Sequence, residues 1–108
     1  ENPVVFQIKE YLHQNYAVPS LSVPDISEHV RLSPTYVCTL FKNETGQTLN
    51  QYLTDYRIKM SKQFLSDPLY KITDISAKVG YSDGNYYSKA FRKIVGLSPS
   101  EYREKMLR

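Results

Sequence analysis

Tryptophan is absent from this 108-residue chain, cysteine occurs once and glycine only four times. One cysteine, Cys38, excludes an internal disulfide and fits a reducing, cytoplasmic compartment. No apolar run approaches the roughly 20 residues that a membrane-spanning helix needs, and no signal peptide is visible, so no membrane partner is expected. Alternating β-branched runs are missing, which argues against sheets. There is no glycine-rich phosphate loop and no Ser/His/Asp or Cys/His arrangement, and His13, His29 and Cys38 lack metal-ligand spacing. Neither catalysis nor a cofactor is expected. The chain opens on Glu1 rather than methionine and is expected to be part of a longer protein.

What is present suits a helical core. Hydrophobic residues make up 41% of the chain, and ten tyrosines and four phenylalanines supply much of their bulk. The net charge is +3, with a pI near 9.0. That balance alone says little about partners. Its distribution says more. Residues 1–45 hold three basic and five acidic residues, whereas residues 46–108 hold eleven basic and six acidic. A phosphate-binding surface should be strongest in the second half.

Apolar periodicity and capping residues predict seven helices. The first spans about 2–16, with Val5, Ile8 and Leu12 on one face, and ends in the Pro- and Ser-containing stretch Ala17–Leu21. Ser22 and Asp25 read as a capping box for the second helix, with Pro24 in its first turn and Ile26 and Val30 apolar. Ser33-Pro34 opens a third, running to Thr45 with Val37, Leu40 and Phe41 inward, and Gly46 closes it. A long fourth helix covers 48–66. Its apolar residues fall on two stripes, Leu49, Leu53, Met60 and Phe64 on one and Ile58 and Leu65 on the other, so it should pack against two neighbours. Asp67-Pro68 stops it. The fifth runs from Ile72 or Thr73 to Gly80, the sixth from an Asp83 cap to Val95, and the seventh from Ser98-Pro99 to about Leu107.

The chain also repeats itself. Residues 23–30, Val-Pro-Asp-Ile-Ser-Glu-His-Val, resemble residues 72–79, Ile-Thr-Asp-Ile-Ser-Ala-Lys-Val, at an offset of 49. Ser33 maps to Ser82. After one inserted residue Phe41 maps to Phe91, Gly46 to Gly96 and Tyr52 to Tyr102. Each copy has the spacing of a helix-turn-helix, which wants a small residue at the helix crossing, glycine at the turn and a buried apolar residue in the second helix. These places hold Ser27, Arg31 and Val37 in the first copy and Ser76, Gly80 and Tyr87 in the second. Arg31 departs from the glycine preference. The expected fold is all-α: two helix-turn-helix subdomains, 1–47 and 67–108, joined by a shared linker helix, 48–66.

Two stretches carry a family resemblance. One is Leu32-Ser-Pro-Thr-Tyr-Val-Cys-Thr-Leu-Phe-Lys-Asn-Glu-Thr-Gly46, followed by Gln51-Tyr-Leu and Arg57-Ile. The other is Val79-Gly-Tyr-Ser-Asp-Gly-Asn-Tyr-Tyr-Ser-Lys-Ala-Phe-Arg-Lys93, followed by Gly96-Leu-Ser-Pro-Ser-Glu-Tyr-Arg103. Over nearly its whole length the chain resembles the C-terminal DNA-binding domain of AraC/XylS-type bacterial transcription regulators. The stretch from Ile8 through Tyr16 looks more like members linked to a receiver domain. The resemblance implies double-stranded DNA as partner, RNA polymerase as a further one, and a sensor or receiver domain N-terminal to this chain. It implies binding in adjacent major grooves and a nucleoid-associated location when bound. A linker of about 28 Å is of the right order to hold two recognition helices the roughly 34 Å apart that one DNA turn requires.

The family's base-reading positions fall on Thr35, Cys38 and Thr39 in the first unit and on Gly84, Asn85 and Lys89 in the second. Threonine methyls can touch thymine methyls, Asn85 can pair with adenine, and Lys89 can read guanine or hold a phosphate. Gly84 has no side chain with which to read a base. Lys42, Ser88, Arg92 and Lys93 are candidates for the DNA backbone, as is Tyr36, which could equally cover apolar surface. Phe41, Phe91, Tyr87 and Tyr102 read as core aromatics, and Arg57 as a structural arginine paired with an acid such as Asp74. The alternative function is a helical module that binds a protein such as RNA polymerase without DNA specificity. Such a module has no need of the basic face formed by Lys89, Arg92 and Lys93.

Overall fold

The computed structural model describes all 108 residues, Glu1–Arg108, as seven helices without a strand. They are α1 (Pro3–Asn15), α2 (Val23–Val30), α3 (Pro34–Thr45), α4 (Leu49–Leu65), α5 (Ile72–Lys78), α6 (Gly84–Val95) and α7 (Pro99–Met106). Local chemistry explains most boundaries. The Ser33 hydroxyl accepts from the Tyr36 N–H, and the Asp83 carboxylate from the Asn85 N–H. Ser98 and Glu101 form a reciprocal box at the start of α7. At α2, the Asp25 carboxylate accepts from both the backbone and the hydroxyl of Ser22, each at 3.0 Å. Gly46 and Gly96 close α3 and α6 in the left-handed region.

Two cores lie along a body 45 Å long and 22 × 20 Å across. The first joins Val5, Ile8 and Leu12 to Ile26, Val37, Phe41, Leu49 and Leu53. The second joins Ile58 and Leu65 to Ile75, Val79, Tyr81, Tyr87 and Phe91. Helix α4 does meet two neighbours, but it meets them end to end. Its N-terminal half supplies Leu49 and Leu53 to one core, while Met60 and Phe64 side with Ile58 and Leu65 in the other. The stripes expected from periodicity are therefore divided along the helix.

The repeat is visible in packing. Phe41 meets Tyr52 edge-on with centroids 5.4 Å apart, and Phe91 meets Tyr102 in the same way at 5.5 Å. Where the second copy enlarges Val37 to Tyr87, α4 presents Ser61, 49 residues on from Leu12, so volume lost at one position is taken up at the other. Both turns close with an equivalent hydrogen bond. The Leu32 N–H donates to the Ser27 carbonyl at 3.2 Å, and the Tyr81 N–H to the Ser76 carbonyl at 2.9 Å.

Arg31 takes the left-handed conformation that the repeat requires, with φ 58° and ψ 42°. Its side chain is exposed and outside the salt bridges. Arg31→Gly should therefore stabilise the chain by about 0.5–1 kcal/mol, the relieved left-handed strain exceeding the entropy that glycine adds to the unfolded state. A rise in the urea midpoint without a change in slope checks this.

Arg57 does not pair with Asp74, which is exposed on α5. Its Nε donates to the Tyr16 carbonyl and its terminal nitrogen to the Val18 carbonyl, both at 2.9 Å. The left-over carbonyl of Tyr16 at the end of α1 and that of Val18 in the turn beyond it are better partners for a buried planar fork than a solvated acid. Arg103 does the same for α4, donating to the carbonyls of Leu65 at 2.9 Å and Asp67 at 3.1 Å. Each unit thus has its first helix closed by an arginine, although the two arginines occupy different positions in the repeat.

His13 lies in the seam between α1 and α4. It stacks on Tyr56 with centroids 4.3 Å apart, and its Nε2 is 2.8 Å from the Tyr52 hydroxyl. Burial holds its pKa below the ordinary imidazole value; Glu10 opposes this, and Lys59 and Lys9 add to it. Because the folded value is the lower one, this contribution is complete above the unfolded value of about 6.5 and declines as pH falls through it towards the folded value. Urea midpoints should drop between pH 7.5 and 5, and His13→Gln should reduce that drop.

Candidate nucleic-acid interface

Helices α3 and α6 each bury one stripe and expose the rest. Val37 and Phe41 anchor α3, and Tyr87 and Phe91 anchor α6. This leaves Thr35, Tyr36, Cys38, Thr39 and Lys42 exposed on α3. On α6 it leaves Gly84, Asn85, Ser88, Lys89, Arg92 and Lys93 exposed. Every residue expected to meet bases or phosphates is thus solvent-accessible on the second helix of its unit. The four aromatics expected in the core are buried, apart from Tyr102, which is half-buried against Phe91.

The cations differ in how they are engaged. Lys42 Nζ donates to the Gly46 carbonyl at the end of its own helix, at 3.2 Å. Arg92 lies 3.7 Å from Glu101. The Glu101 carboxyl is held below the usual range first by the Ser98 N–H it accepts, and less by Arg92. An exposed pair of this kind is worth little, so Arg92 can be redirected to a phosphate at small cost. Lys89 and Lys93 form no ion pair.

Between α3 and α6 lies an open cleft of about 660 Å³, with α4 as its floor. Lys42 enters it from α3, Lys89 and Lys93 from α6, and Asn50, Thr54 and Asp55 from α4. Asp55 accepts from Gln47 Nε2 at 2.8 Å. Tyr86, 64% exposed, also lines the cleft. The two exposed helices therefore open onto one side of the linker. Sequence reasoning missed Tyr86, Asn50 and Thr54. The exposure of Tyr86 beside buried Tyr87 follows from helical spacing, but nothing local marks Asn50 or Thr54. No group of His, Cys, Asp and Glu is arranged to hold a metal ion, and no helix is long and apolar enough to cross a membrane.

A helix-turn-helix domain family model matches residues 26–105, taking in both turns and the linker. The chain is 36% identical over 102 residues to the Msm operon regulatory protein of Streptococcus mutans, covering 94% of this chain and 36% of that protein. It is 38% identical over 98 residues to the transcriptional regulatory protein HptR of Staphylococcus aureus, covering 91% of this chain and 38% of that one. The chain thus spans well under half the length of these curated relatives. Among solved structures, it superposes on the C-terminal domain of AraT, a response regulator from Geobacillus stearothermophilus, with a TM-score of 0.93 and 29% identity, over 96% of this chain and 86% of that one. With seven helices, two helix-turn-helix units on one linker and these relatives, the chain belongs to the AraC/XylS-type helix-turn-helix family of DNA-binding transcription regulators.

Proposed function

We propose that the chain binds double-stranded DNA sequence-specifically by placing α3 and α6 in successive major grooves on one face of the duplex. One observation carries this reading: Lys42 of α3 and Tyr86, Lys89 and Lys93 of α6 line the same cleft, on the same side of α4. Helix α4, at 17 residues and about 26 Å, suits a separation of one DNA turn. In this reading residues 1–47 and 67–108 are the two reading units and 48–66 the spacer. Thr35, Cys38, Thr39, Asn85 and Lys89 meet base edges. Tyr36, Lys42, Ser88, Arg92 and Lys93 meet the backbone and fix register. The units are unequal, because the first reads with small neutral side chains and the second adds lysines. The similarity to an operon regulatory protein of Streptococcus mutans and a transcriptional regulatory protein of Staphylococcus aureus supports regulation of bacterial transcription as the outcome. An N-terminal sensor or receiver domain and contact with RNA polymerase complete the proposal.

Selection from a random DNA pool tests it, followed by binding measurements across a salt series. Lys89→Ala should weaken binding about tenfold and relax preference at one position. Lys42→Ala and Arg92→Ala should weaken it several-fold, with sequence preference kept and the salt slope reduced by about 1 each. Failure to enrich any sequence, with no binding at low salt, would favour a protein-interaction module.

A further inference from the structure

We propose that α4 is itself a DNA-reading element, whose Asn50 and Thr54 reach the minor-groove edge of the base pairs between the two half-sites. The inference rests on the reading that α3 and α6 occupy successive major grooves. Between two such grooves on one face of B-DNA, a minor groove faces the protein. What stands opposite it is the floor of the cleft, the exposed side of α4. Asn50 and Thr54 are one turn apart, so they lie on one face of the helix.

These two positions also border a second, adjoining cleft of about 320 Å³. Tyr81, which lines that cleft, places its buried hydroxyl beside the Thr54 side chain, whose own hydroxyl proton stays available to the cleft when it accepts from Tyr81. Their neighbours on α4 are committed to the fold. Gln51 accepts from the Thr48 N–H in a capping box, and Asp55 holds Gln47. Asn50 is exposed and makes no side-chain hydrogen bond within the chain. Lys42 on one wall and Lys93 on the other, both assigned above to the DNA backbone, outnumber Asp55 and suit the two phosphate ridges that border a groove.

The chemistry predicts a preference. A minor groove about 6 Å wide excludes a helix but admits side-chain tips. An A·T pair offers only acceptors there, which suit the Asn50 carboxamide and the Thr54 hydroxyl as donors. A G·C pair puts the guanine amino group in the way. The chain should therefore discriminate base pairs in the spacer that neither recognition helix touches.

The test uses the chain and its selected site with three spacers: A·T, G·C and inosine·C. Inosine lacks the minor-groove amino group and keeps the major-groove pattern of guanine. Wild type should bind the A·T and inosine·C spacers about fivefold more tightly than G·C, and the Asn50→Ala/Thr54→Ala variant should bind all three alike. Asn50→Asp should weaken binding about tenfold on every spacer. An acid in the first turn of α4 favours that helix, so its melting temperature should hold or rise and misfolding would not explain the loss. Equal weakening by G·C and inosine·C, or wild-type affinity of Asn50→Asp, overturns the proposal while leaving the two-groove reading standing. Wild type that selects no DNA overturns both.

Discussion

Gly80→Ala is expected to cost about 3–5 kcal/mol, a large part of the 5–15 kcal/mol that typically holds such a domain together. A Cβ at this position would stand 2.4 Å from the Tyr16 carbonyl oxygen and 2.7 Å from Arg57 Nε, on a backbone with φ +97°. The carbonyl ends α1 and cannot withdraw without disturbing the first core. Tyr16 packs against both cores, so the clash falls where the two units join. Gly46 and Gly96 are the controls. Their φ values are +78° and +88°, but nothing lies within 4 Å of an added Cβ. Alanine there should cost only the left-handed penalty of about 1–2 kcal/mol. Urea unfolding of the three variants separates close approach from backbone conformation.

Arg57→Ala should cost a comparable 3–5 kcal/mol. It removes two charge-assisted hydrogen bonds, of about 1.5–3 kcal/mol each, and leaves the Tyr16 carbonyl unpaired, while the Val18 carbonyl keeps the Leu21 N–H at 3.2 Å. The guanidinium also lies 5.5 Å from the centroid of the Tyr81 ring. Arg57→Lys should recover less than half the loss, because an ammonium cannot span two carbonyls in one plane. A double-mutant cycle gives a sharper check. In Arg57→Ala/Gly80→Ala one of the two close contacts is already gone, so the combined loss should fall short of the sum by about 1 kcal/mol or more. Strict additivity would mean that Gly80 and Arg57 do not share the joint described above.

The same joint marks the limit of what the sequence made legible. Caps such as Ser33-Pro34 and Ser98-Pro99, and glycines such as Gly46 and Gly96, act through bonds within a few residues, so the helix boundaries could be read directly. Gly80 could be read as a turn glycine. Its second role, admitting the Tyr16 carbonyl and Arg57, depends on a contact 64 positions away. Arg57 was legible as structural, but its partner was not, because backbone carbonyls have no sequence signature and Asp74 does. Met60 and Phe64 share a stripe with Leu49 and Leu53 but pack against the other core, because periodicity gives a direction around a helix and not the neighbour met along it. The exposed faces of α3 and α6 followed from their buried stripes. The cleft did not, since it arises only when α4 sets the two helices side by side.

Dimethyl sulfate footprinting of the chain on its selected site tests the central claim most directly, because guanine N7 lies in the major groove. The account predicts two protected clusters on one face of the duplex, centred about 10–10.5 base pairs apart. Inserting five base pairs between them should abolish one cluster. A single protected cluster, or two whose spacing can change by half a turn without loss of either, would contradict it.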